Sequence, residues 1–529
     1  MRVLTTTLLA IAACAASSVA QGDWVGGQRF FVAPGGDDAN TGLSRAQAWR
    51  TLTFAASQVR TLSLQSPVTL NVMPGTYGAD ETYPIRFPAR GVAVEADGPG
   101  VVITGDDIDA TIWIDSTGQG PNTVLQGLTL IDGNSGVLID PINLTPPIVI
   151  PLPADAVTIR DCTFDDNLAG IIVVVQPGRR ATHVIERNEI LGSFSTGIDI
   201  VCAGESSTWV RANRLIFNEK GMTIFATSPP RACQPRIESN FFVENPCHLI
   251  STGGSPYVVN NTMAFASSVF GSPCGIQHTA FGAESITIVN NVLWNPGVPE
   301  LAITGAFSIA FNDIEDPLDP NVGINNNVSI PPGFVSPALP FDVHLTTASP
   351  LIGLGQRGAV LPPTALSTGT LTHRVDVGMD VDGDSRMSDF NDDGQAQVEI
   401  GGDEVNTARL AVTAGADAFG NMGTSGGPIN LTVTITGAPL AGVFLYQWFT
   451  DGTTPIAQSL FADPFGCLTM NPAQWALMAS GTLSAGGATS FTFPLPTPLS
   501  QTETEFYLQA VTTQTGLDIT NRQRLEFNP

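Results

Sequence analysis

The chain has 529 residues with 22 basic and 48 acidic side chains, which gives a formal net charge of −26. Only 13% of the residues are charged and Lys220 is the only lysine, so the imbalance reflects a shortage of bases. A surface of this sign repels nucleic acids, anionic lipids and polyuronates, which argues against them as principal partners. The length is sufficient for about two or three domains.

Residues 1–20 have the parts of a secretory signal peptide. Arg2 supplies the positive start, an apolar run follows, and small residues precede a cleavage site after Ala20. Cys14 allows an alternative lipoprotein signal, but the apolar stretch before it is short and interrupted. No later stretch is long and apolar enough to span a membrane, so we expect a secreted or cell-surface protein.

Residues 21–405 are predicted to form one solenoid, and residues 29–110 are its N-terminal capping module and first coils. After a first strand and the turn GGDDANTG, a helix is expected whose apolar residues share one face: Leu52, Ala55, Val59 and Leu62. An open solenoid end exposes strand edges, so a terminal helix is an expected cap. The motifs FVAPGGDDANTG, RTLTFAAS and MPGTYG resemble the uncharacterised N-terminal module of many secreted bacterial β-helix proteins.

Residues 111–315 are the regular coils, because similar segments recur from residue 156 onward at a spacing of 21 to 30 residues. One aligned column reads Cys162, Asn188, Asn213, Asn240, Asn261, Asn291 and Asn312. Apolar residues stand three places before and two places after each member, as inward strand positions require. Asn tolerates a left-handed backbone and can bond along a stack, so a corner is expected at each position. The proline-rich stretch 141–155 must be a loop.

This pattern resembles the right-handed parallel β-helix of the pectate-lyase-like superfamily, in which an asparagine ladder often joins the second and third strands of each coil. The implied fold is all-β, a right-handed parallel β-helix with a short N-terminal capping helix. By the same resemblance, the segments beginning at Gly170, Gly197 and Gly221 form the first sheet, whose outer face carries the substrate in relatives that act on polysaccharides. The alternative is a β-sandwich with coincidental spacing, which three aligned columns disfavour.

Residues 316–405 are interpreted as degenerate last coils and a cap. Their segments FDVHLTTASPLIGLG, HRVDVGMDVDGDSR and QAQVEIGGDEV resemble the end of many extracellular parallel β-helices. Residues 410–529 alternate with period two between Gly/Pro turns, which predicts a small antiparallel β-sandwich as an accessory domain. The segments FGCL, FPLP, FYLQA and TNRQRLEF resemble a C-terminal module of secreted proteins from planctomycete-type bacteria, a likeness that implies no activity.

Two residues before the ladder column, the side chains alternate in sign: Arg160, Glu186, Arg211 and Glu238. Neighbouring coils lie about 4.8 Å apart, so this column is predicted to be an ion-pair ladder on a solvated edge. Six cysteines remain after signal cleavage, and export permits disulfides. Cys202 with Cys233 and Cys247 with Cys274 would each link adjacent coils, whereas Cys162 is expected to be a small buried side chain.

The outward column of the presumed first sheet reads Ile172, Asp199, Thr223, Leu249 and Gln277. A polyuronate lyase would need a base for the C5 proton, and the candidate catalytic set is Lys220, Asp165, Asp166 and Asp199. The candidates for substrate binding are Thr223, Gln277, Glu205 and Arg231. Paired carboxylates could instead serve a glycoside hydrolase, but the column is half apolar. Of the polygalacturonase motifs, only the Asp-Asp pair is present.

Two acidic turns could hold a metal ion, and calcium is the only cofactor that the sequence suggests. The turn GGDDANTG offers Asp37, Asp38 and Asn40. A later stretch offers Asp380, Asp382, Asp384, Asp389, Asn391 and Asp393. Its second half matches the start of an EF-hand loop, but Ile400 stands where the bidentate carboxylate belongs. The alternative is a turn in which Asp and Asn cap their own backbone.

Together these patterns predict a secreted, structural or glycan-associated β-helix protein that is monomeric, has no membrane span and binds no nucleic acid. Catalysis is unproven by the sequence. The alternative is a polysaccharide lyase or glycoside hydrolase that acts on an extracellular polysaccharide through the first-sheet face. The net charge disfavours acidic polymers and leaves neutral ones open.

Overall fold

The computed structural model describes residues 28–403 apart from internal gaps, and beyond them only the backbone of separate strands. The gaps are 64–66, 89–90, 116–122, 141–155, 228–232, 267–272, 339–340, 357–379 and 383–397. Residues 22–351 and 400–403 belong to one compact unit, and residues 352–399 and 404–529 to a second. The predicted signal peptide 1–20, including Cys14, lies outside the described residues.

Strands make up nearly all of the regular secondary structure of the first unit. The first are β1 (Gln28–Val32), β2 (Val68–Val72), β3 (Gly75–Tyr77), β4 (Ile85–Pro88), β5 (Val92–Ala96), β6 (Val101–Thr104), β7 (Ala110–Asp115), β8 (Thr123–Gln126), β9 (Thr129–Ile131), β10 (Ser135–Ile139), β11 (Val157–Arg160) and β12 (Thr163–Asp165). Next come β13 (Ala169–Val175), β14 (Arg180–Ala181), β15 (Val184–Glu186), β16 (Glu189–Leu191), β17 (Thr196–Cys202), β18 (Glu205–Ser206), β19 (Trp209–Arg211), β20 (Arg214–Ile216), β21 (Lys220–Ala226), β22 (Arg236–Glu238) and β23 (Phe241–Val243). The last are β24 (Cys247–Thr252), β25 (Tyr257–Val259), β26 (Thr262–Ala264), β27 (Cys274–Thr279), β28 (Ser285–Val289), β29 (Val292–Trp294), β30 (Leu301–Thr304), β31 (Ala306–Ala310), β32 (Asp313–Ile314), β33 (Phe334–Ser336) and β34 (Asp342–Leu345).

Most of these strands lie in three parallel sheets that the chain visits in turn, which is the predicted parallel β-helix. The first sheet has nine strands in the order β4-β7-β10-β13-β17-β21-β24-β27-β30. The second sheet has eleven strands, β1-β2-β5-β8-β11-β15-β19-β22-β25-β28-β31. The third sheet has ten strands, β3-β6-β9-β12-β16-β20-β23-β26-β29-β32.

Inward side chains form columns along the solenoid. In the first sheet one column is Ile112, Val137, Ile171, Ile198 and Met222, and each is 0% exposed. Burial of each such side chain contributes about 1.5–3 kcal/mol. A single coil cannot cover its own apolar face, so the stacking of neighbours holds the fold together.

The predicted asparagine column is a continuous ladder at the corner between the second and third sheets. Asn188 Nδ2 donates to Asn213 Oδ1 at 2.9 Å, and Asn213 Nδ2 donates to Asn240 Oδ1 at 3.0 Å. The same bond continues along Asn261, Asn291, Asn312 and Asn327. Cys162 takes the first place and is buried, and its backbone N–H donates to Asn188 Oδ1. The ladder therefore extends one residue beyond the predicted column.

The left-handed residue at this corner is not the ladder asparagine, as we expected, but the residue before it. Its φ lies between 53° and 57° in Asp161, Arg187, Ala212, Ser239, Asn260 and Asn290. The preceding residue therefore makes the bend, and the asparagine side chain supplies the hydrogen bonds that an abrupt corner would leave unmade.

A second ladder, which the sequence did not reveal, stands at the corner between the third and first sheets. Asn218 Nδ2 donates to Asn245 Oδ1 at 3.1 Å, and the backbone N–H of Ser193 donates to Asn218 Oδ1 at 3.0 Å. Glycines follow at the start of the first-sheet strands because a Cβ there would meet the next coil. At Gly221 it would lie 2.6 Å from the carbonyl oxygen of His248.

His248 stands at the position where neighbouring first-sheet strands have a glycine. Its ring also connects Asn245 to Asn295, because the coil between them has no asparagine in the second ladder. Its Nε2 lies 2.9 Å from Asn295 Oδ1, and its Nδ1 lies 3.3 Å from Asn245 Nδ2. Asn295 in turn donates through its backbone N–H and Nδ2 to the two carboxyl oxygens of Glu300, both at 2.7 Å. Burial lowers the pKa of His248 to about 4, so the ring is a neutral member of this chain of hydrogen bonds.

The alternating charges stand in the predicted register on the outer face of the second sheet, but they are not solvated. Glu186 is 4% and Glu238 is 6% exposed. Glu186 lies 2.6 Å from Arg211, whereas Glu238 accepts from Arg236 at 2.7 Å and from the Trp209 indole at 3.1 Å. The prediction that these charged side chains are exposed to solvent is therefore wrong. They are buried because the Trp209 side chain packs against the guanidinium groups.

The N-terminal end of the solenoid carries the predicted helix, α1 (Leu52–Leu62), which packs against β4 and β2. Thr51 caps it, since its side chain accepts the backbone N–H of Phe54 at 3.1 Å. Glu81 accepts the N–H groups of Leu52 and Thr53 at 2.8 and 2.7 Å. A carboxylate at this position also stabilises the helix dipole.

Two disulfides connect neighbouring coils as predicted. They join Cys202 to Cys233 and Cys247 to Cys274, with Cα atoms 6.0 and 4.6 Å apart. Burial raises the pKa of the remaining described thiol, that of Cys162, to about 12, so it is not a reactive thiolate.

Beyond the regular coils, the hairpin of β33 and β34 covers part of the third sheet, where Phe265 stacks on Phe341 at 4.7 Å. Residues 400–403 return to the solenoid, and Asp403 accepts the backbone N–H of Leu345 at 2.9 Å. Among the described residues, no helix has the length and apolar character needed to cross a membrane.

The second unit has the two antiparallel sheets expected of the small sandwich. Its strands are β35 (Arg409–Ala414), β36 (Asn430–Thr436), β37 (Gly442–Phe449), β38 (Ala476–Thr482), β39 (Ala488–Pro494), β40 (Thr504–Thr513), β41 (Leu517–Ile519) and β42 (Gln523–Phe527). One sheet is β35-β36-β39, and the other contains β37, β38, β40, β41 and β42.

Candidate functional site

The outer face of the first sheet carries a column of partly exposed side chains on successive coils. Cα pairing gives it as Ile172, Asp199, Thr223, Ile250 and Gln277. Leu249, which the sequence placed in this column, is instead 0% exposed and pairs with the inward Met222. The other predicted members do face outward.

A second outward column lies two residues further along each strand. It reads Val174, Val201, Phe225, Thr252, Thr279 and Thr304. Its first half is apolar and its second half carries hydroxyl groups. The face as a whole thus offers apolar contact together with hydroxyl and amide groups, and few charges.

Exposed large apolar side chains border this face on both sides. At the corner with the third sheet, Leu168 is 45%, Phe194 is 65% and Phe217 is 52% exposed. At the opposite border, Phe225 is 44% and Phe281 is 65% exposed. The sequence did not reveal them because they occupy turn and strand-end positions, where periodicity carries no signal. Clustered exposed apolar side chains indicate an interaction site.

Asp199 is the carboxylate in the first column, and its nearest described partner is Thr223. The Thr223 hydroxyl donates to Asp199 Oδ1 across one rung. Burial raises the pKa of the Asp199 carboxyl, while the Thr223 hydrogen bond and the charge of Lys220 act in the opposite direction. Lys220 Nζ lies 3.5 Å from Glu219 Oε1. Asp199 and Thr223 therefore lie side by side on the face, and Lys220 is close enough for its charge to act on Asp199.

Other predicted site residues lie at the borders. Asp165 ends the third-sheet strand β12, and Asp166 makes the following turn with φ of 52°. Burial, followed by the charge of Asp166, raises the pKa of Asp165. Glu205 pairs with Arg180 at the opposite border, at 2.5 Å. Arg231 lies outside the described residues.

A further polar group at the N-terminal end of the same face was not predicted. The Trp113 indole N–H donates to the backbone carbonyl of Asp140 at 3.0 Å, and Gln176 Nε2 donates to Asp140 Oδ1 at 3.1 Å. The Arg86 guanidinium lies 4.3 Å from the centre of the Trp113 ring. Burial raises the pKa of Asp140. The resulting row runs from Trp113 to Gln277.

The predicted calcium ligands make local hydrogen bonds wherever they are described. Asp38 accepts the backbone N–H groups of Arg50 and Thr51 at 2.8 and 3.0 Å, and Asn40 donates to the carbonyl of Ala48 at 3.0 Å. Asp37 accepts from the N–H of residue 39 at 2.9 Å. In the second unit, Asp380 accepts the N–H of Asp382 at 2.9 Å. The other four predicted ligands, Asp384, Asp389, Asn391 and Asp393, lie outside the described residues.

No protein-family model matches this chain, and no curated protein matches it. Among solved structures, XylC in complex with xylose has 11% identity and a TM-score of 0.37, over 88% of this chain and 100% of that one. The periplasmic alginate epimerase AlgG has 12% identity and a TM-score of 0.23, over 52% of this chain and 69% of that one. The enzymatically active domain of tailspike protein 2 of bacteriophage CBA120 has 11% identity and a TM-score of 0.26, over 89% of this chain and 73% of that one. Likenesses at these values carry no argument about the fold or the activity of this chain.

Proposed function

We propose that this protein is exported and binds a neutral polysaccharide along the outer face of the first sheet. The observation that carries the proposal is the placement of exposed aromatic rings on both borders of a row of hydroxyl, amide and carboxylate side chains. Sugar rings have apolar C–H faces and a rim of hydroxyl groups. Aromatic side chains stack on the apolar C–H faces of the sugar rings, and a few fixed polar groups bind and orient the sugar hydroxyl groups.

The size of the face suits a polymer rather than a single sugar. Nine strands stacked about 4.8 Å apart give a face roughly 40 Å long, and the strands are held in register by the ladders at the two corners. Thr223, Gln277 and Asp199 are the polar contacts that we propose, with Phe194 and Phe225 as the stacking groups. A rigid, repeating surface of this kind needs little reorganisation on binding.

Charge defines the class of polymer. The net charge is −26, and Asp165, Asp166 and Glu219 stand beside the face with Lys220 as the neighbouring base. A polyuronate would meet repulsion along its whole length, whereas a neutral chain would not. The two disulfides between coils support export, because such bonds persist in oxidising compartments.

Catalysis by this face is the second candidate. Burial raises the pKa of the half-buried Asp199, Lys220 is a charged neighbour, and a positioned carboxyl group can act as a general acid or base. A lyase would use Lys220 as the base, and a hydrolase would use Asp199 with a second carboxylate. We place binding first because the described face is mostly apolar and hydroxylic.

The test is a panel of neutral and acidic polysaccharides measured for binding and for cleavage. We expect binding to neutral polymers, with Phe194→Ala and Phe225→Ala each weakening the affinity about tenfold, or about 1.4 kcal/mol. Leu43→Ala is the control, since Leu43 is 54% exposed in the N-terminal cap, away from the face. Equal effects of all three substitutions, or no binding to any neutral polymer, would refute the proposal.

The same samples decide between binding and catalysis. New reducing ends would show cleavage, and absorbance from an unsaturated uronate would identify a lyase. Cleavage that Asp199→Asn or Lys220→Ala abolishes would replace our first candidate with the second. Binding without either signal supports a binding protein.

A further inference from the structure

His278 is a buried titratable side chain that the hydrogen bonds between coils do not explain. It is 0% exposed and continues the inward column that contains Ile224 in the first sheet. Neither of its ring nitrogens has a hydrogen-bond partner among the described residues. Two other buried histidines do have partners, since His183 Nδ1 accepts the backbone N–H of Val157 at 3.1 Å and His248 is bonded through both nitrogens.

The charged group that acts on this ring is a carboxyl group. The strands β24 and β30 on either side of His278 present Ser251 and Ile303, which are uncharged. Burial lowers the pKa of His278, and the charge of Glu284 acts in the opposite direction. Residues 237–356 contain no lysine and no arginine, so this part of the chain offers Glu284 no permanently charged cation.

Glu284 ends a short loop at the border of the proposed binding face. The loop, residues 280–284, joins β27 to β28, and Glu284 is 3% exposed although the three residues before it are exposed. Phe281 is 65% exposed, and an atom of its ring lies 3.4 Å from the place that a Cβ on Gly253 would take, so the ring rests on the preceding coil. The Glu284 carboxyl accepts the backbone N–H of Gly282, the residue directly after Phe281. The position of Phe281 is therefore linked to that of the Glu284 carboxyl.

Protonation of His278 would place a positive charge in the core, where it needs a carboxylate or water. Glu284 supplies the first by turning towards the ring and away from Gly282, and water reaches the ring when the loop moves outward. Because burial lowers the pKa of His278, the present arrangement binds fewer protons than one in which the ring is paired or hydrated. Acid therefore favours a rearranged loop, and neutral pH favours the present one.

We propose that His278 and Glu284 form an acid-sensitive switch for the loop 280–284, which removes Phe281 from the border of the first-sheet face as pH falls below about 6.5. The consequence for sugar binding rests on the proposed function, because it requires that this face bind the polymer. One proton can weaken binding by up to about tenfold for each pH unit below the ordinary histidine value.

The first test needs no sugar. Fluorine NMR of the mature chain carrying fluorinated phenylalanine reports on each ring, and Phe281→Leu assigns the signal of Phe281. We expect this signal to move as pH falls from about 7 to about 5 in the wild type but not in His278→Leu. The signal of Phe194, on the other border, is the internal control and should show no change that depends on His278.

Glu284→Gln separates a switch from a merely structural contact. The amide keeps an oxygen that can accept the N–H of Gly282 but removes the charge that favours the protonated ring. The midpoint of the Phe281 titration should therefore shift to lower pH. An unchanged midpoint would overturn the proposal even if His278→Leu fails to fold. A Phe281 signal that does not respond to pH in the wild type, or that responds equally in His278→Leu, would also overturn it.

The second test measures affinity for a neutral polysaccharide at neutral pH and at about pH 5. The wild type should bind about tenfold more weakly at the lower pH, whereas His278→Leu should bind equally at both. A loop that titrates while the affinity stays constant would overturn the control of binding. Absence of binding at every pH would refute the proposed function and that control with it, while the fluorine signal would still decide whether the loop is a switch.

Discussion

Removal of the Arg211 charge tests the buried ion pair on the second sheet. Glu186 is 4% exposed, and its carboxylate lies 2.6 Å from Arg211 and 3.3 Å from Arg187. Arg211→Met keeps most of the side chain's length and its contact with Trp209 but leaves a buried carboxylate with one close partner. Loss of one member of a buried pair costs about 3–5 kcal/mol, and because Arg187 remains we expect about 3 kcal/mol. An exposed pair would cost only about 0.2–1 kcal/mol.

The pKa of Glu186 determines how the stability difference between the wild type and Arg211→Met changes with pH. The pKa of Glu186 is lowered in the folded protein because the charges of Arg211, Arg187 and Arg160 together outweigh burial, which alone would raise it. A lowered carboxyl pKa contributes stability above the unfolded value of about 4.3, and this is lost only as pH falls through the folded value. In Arg211→Met, burial should raise the pKa instead. The difference between the proteins should therefore be largest at neutral pH and shrink below about pH 4.

The assay is denaturant unfolding of the wild type, Arg211→Met, Glu186→Gln and the double variant at neutral and acidic pH. A double-mutant cycle should give a coupling of about 1–3 kcal/mol at neutral pH that depends little on salt, because the pair is buried. A loss of less than about 0.5 kcal/mol would show that the pair behaves as an exposed one. An equal loss at both pH values would refute the electrostatic account and point to packing alone.

Two further predictions concern carboxyl groups elsewhere. Asp313 is 0% exposed, and burial raises its pKa to about 7, so it should contribute stability at acidic pH that is lost as pH rises from about 4 to about 7. Asp313→Asn should flatten that part of the stability profile, and an unchanged slope in thermal melts would contradict the assignment. If the segment 380–393 binds calcium, a chelator should lower the melting temperature of the wild type but not that of Asp389→Ala. Identical melting curves of the wild type with and without chelator would indicate that this stretch is an ordinary turn that binds no calcium.

The parts of the fold that follow from repetition could be predicted from the sequence, and the parts that depend on breaks in the repeat could not. An asparagine occupies the same position in every repeat from Asn188 to Asn312, although the loops between the repeats differ in length. The ladder and its corner could therefore be predicted. The second ladder was hidden because Ser193 interrupts it. Leu249 was assigned to the wrong face because His248 replaces the glycine that marks the strand start, and a slip of one residue exchanges the two faces of a strand.

The candidate site was predictable only in part, for a physical reason. Alternation identifies which strand residues point outward, so Asp199, Thr223 and Gln277 were found on the correct face. It gives no information about how much of a turn residue is covered, and Phe194 and Phe217 were therefore missed. Burial of Glu186 and Glu238 depends on Trp209 lying across them, which no spacing in the sequence expresses.

The two corner ladders also determine where this protein can change length. Asn218 follows Asn213 by five positions, and Asn245 follows Asn240 by five, so the third-sheet segment between the ladders is fixed. The spacing between successive rungs of the first ladder nevertheless ranges from 15 to 30 residues, and that variation must be absorbed elsewhere in the coil. Loops beside the first sheet can thus be lengthened or exchanged without disturbing the stacked core. The loops that border the first sheet are therefore the part of this solenoid in which evolution, or the grafting of a new binding loop, can change the sequence and its length.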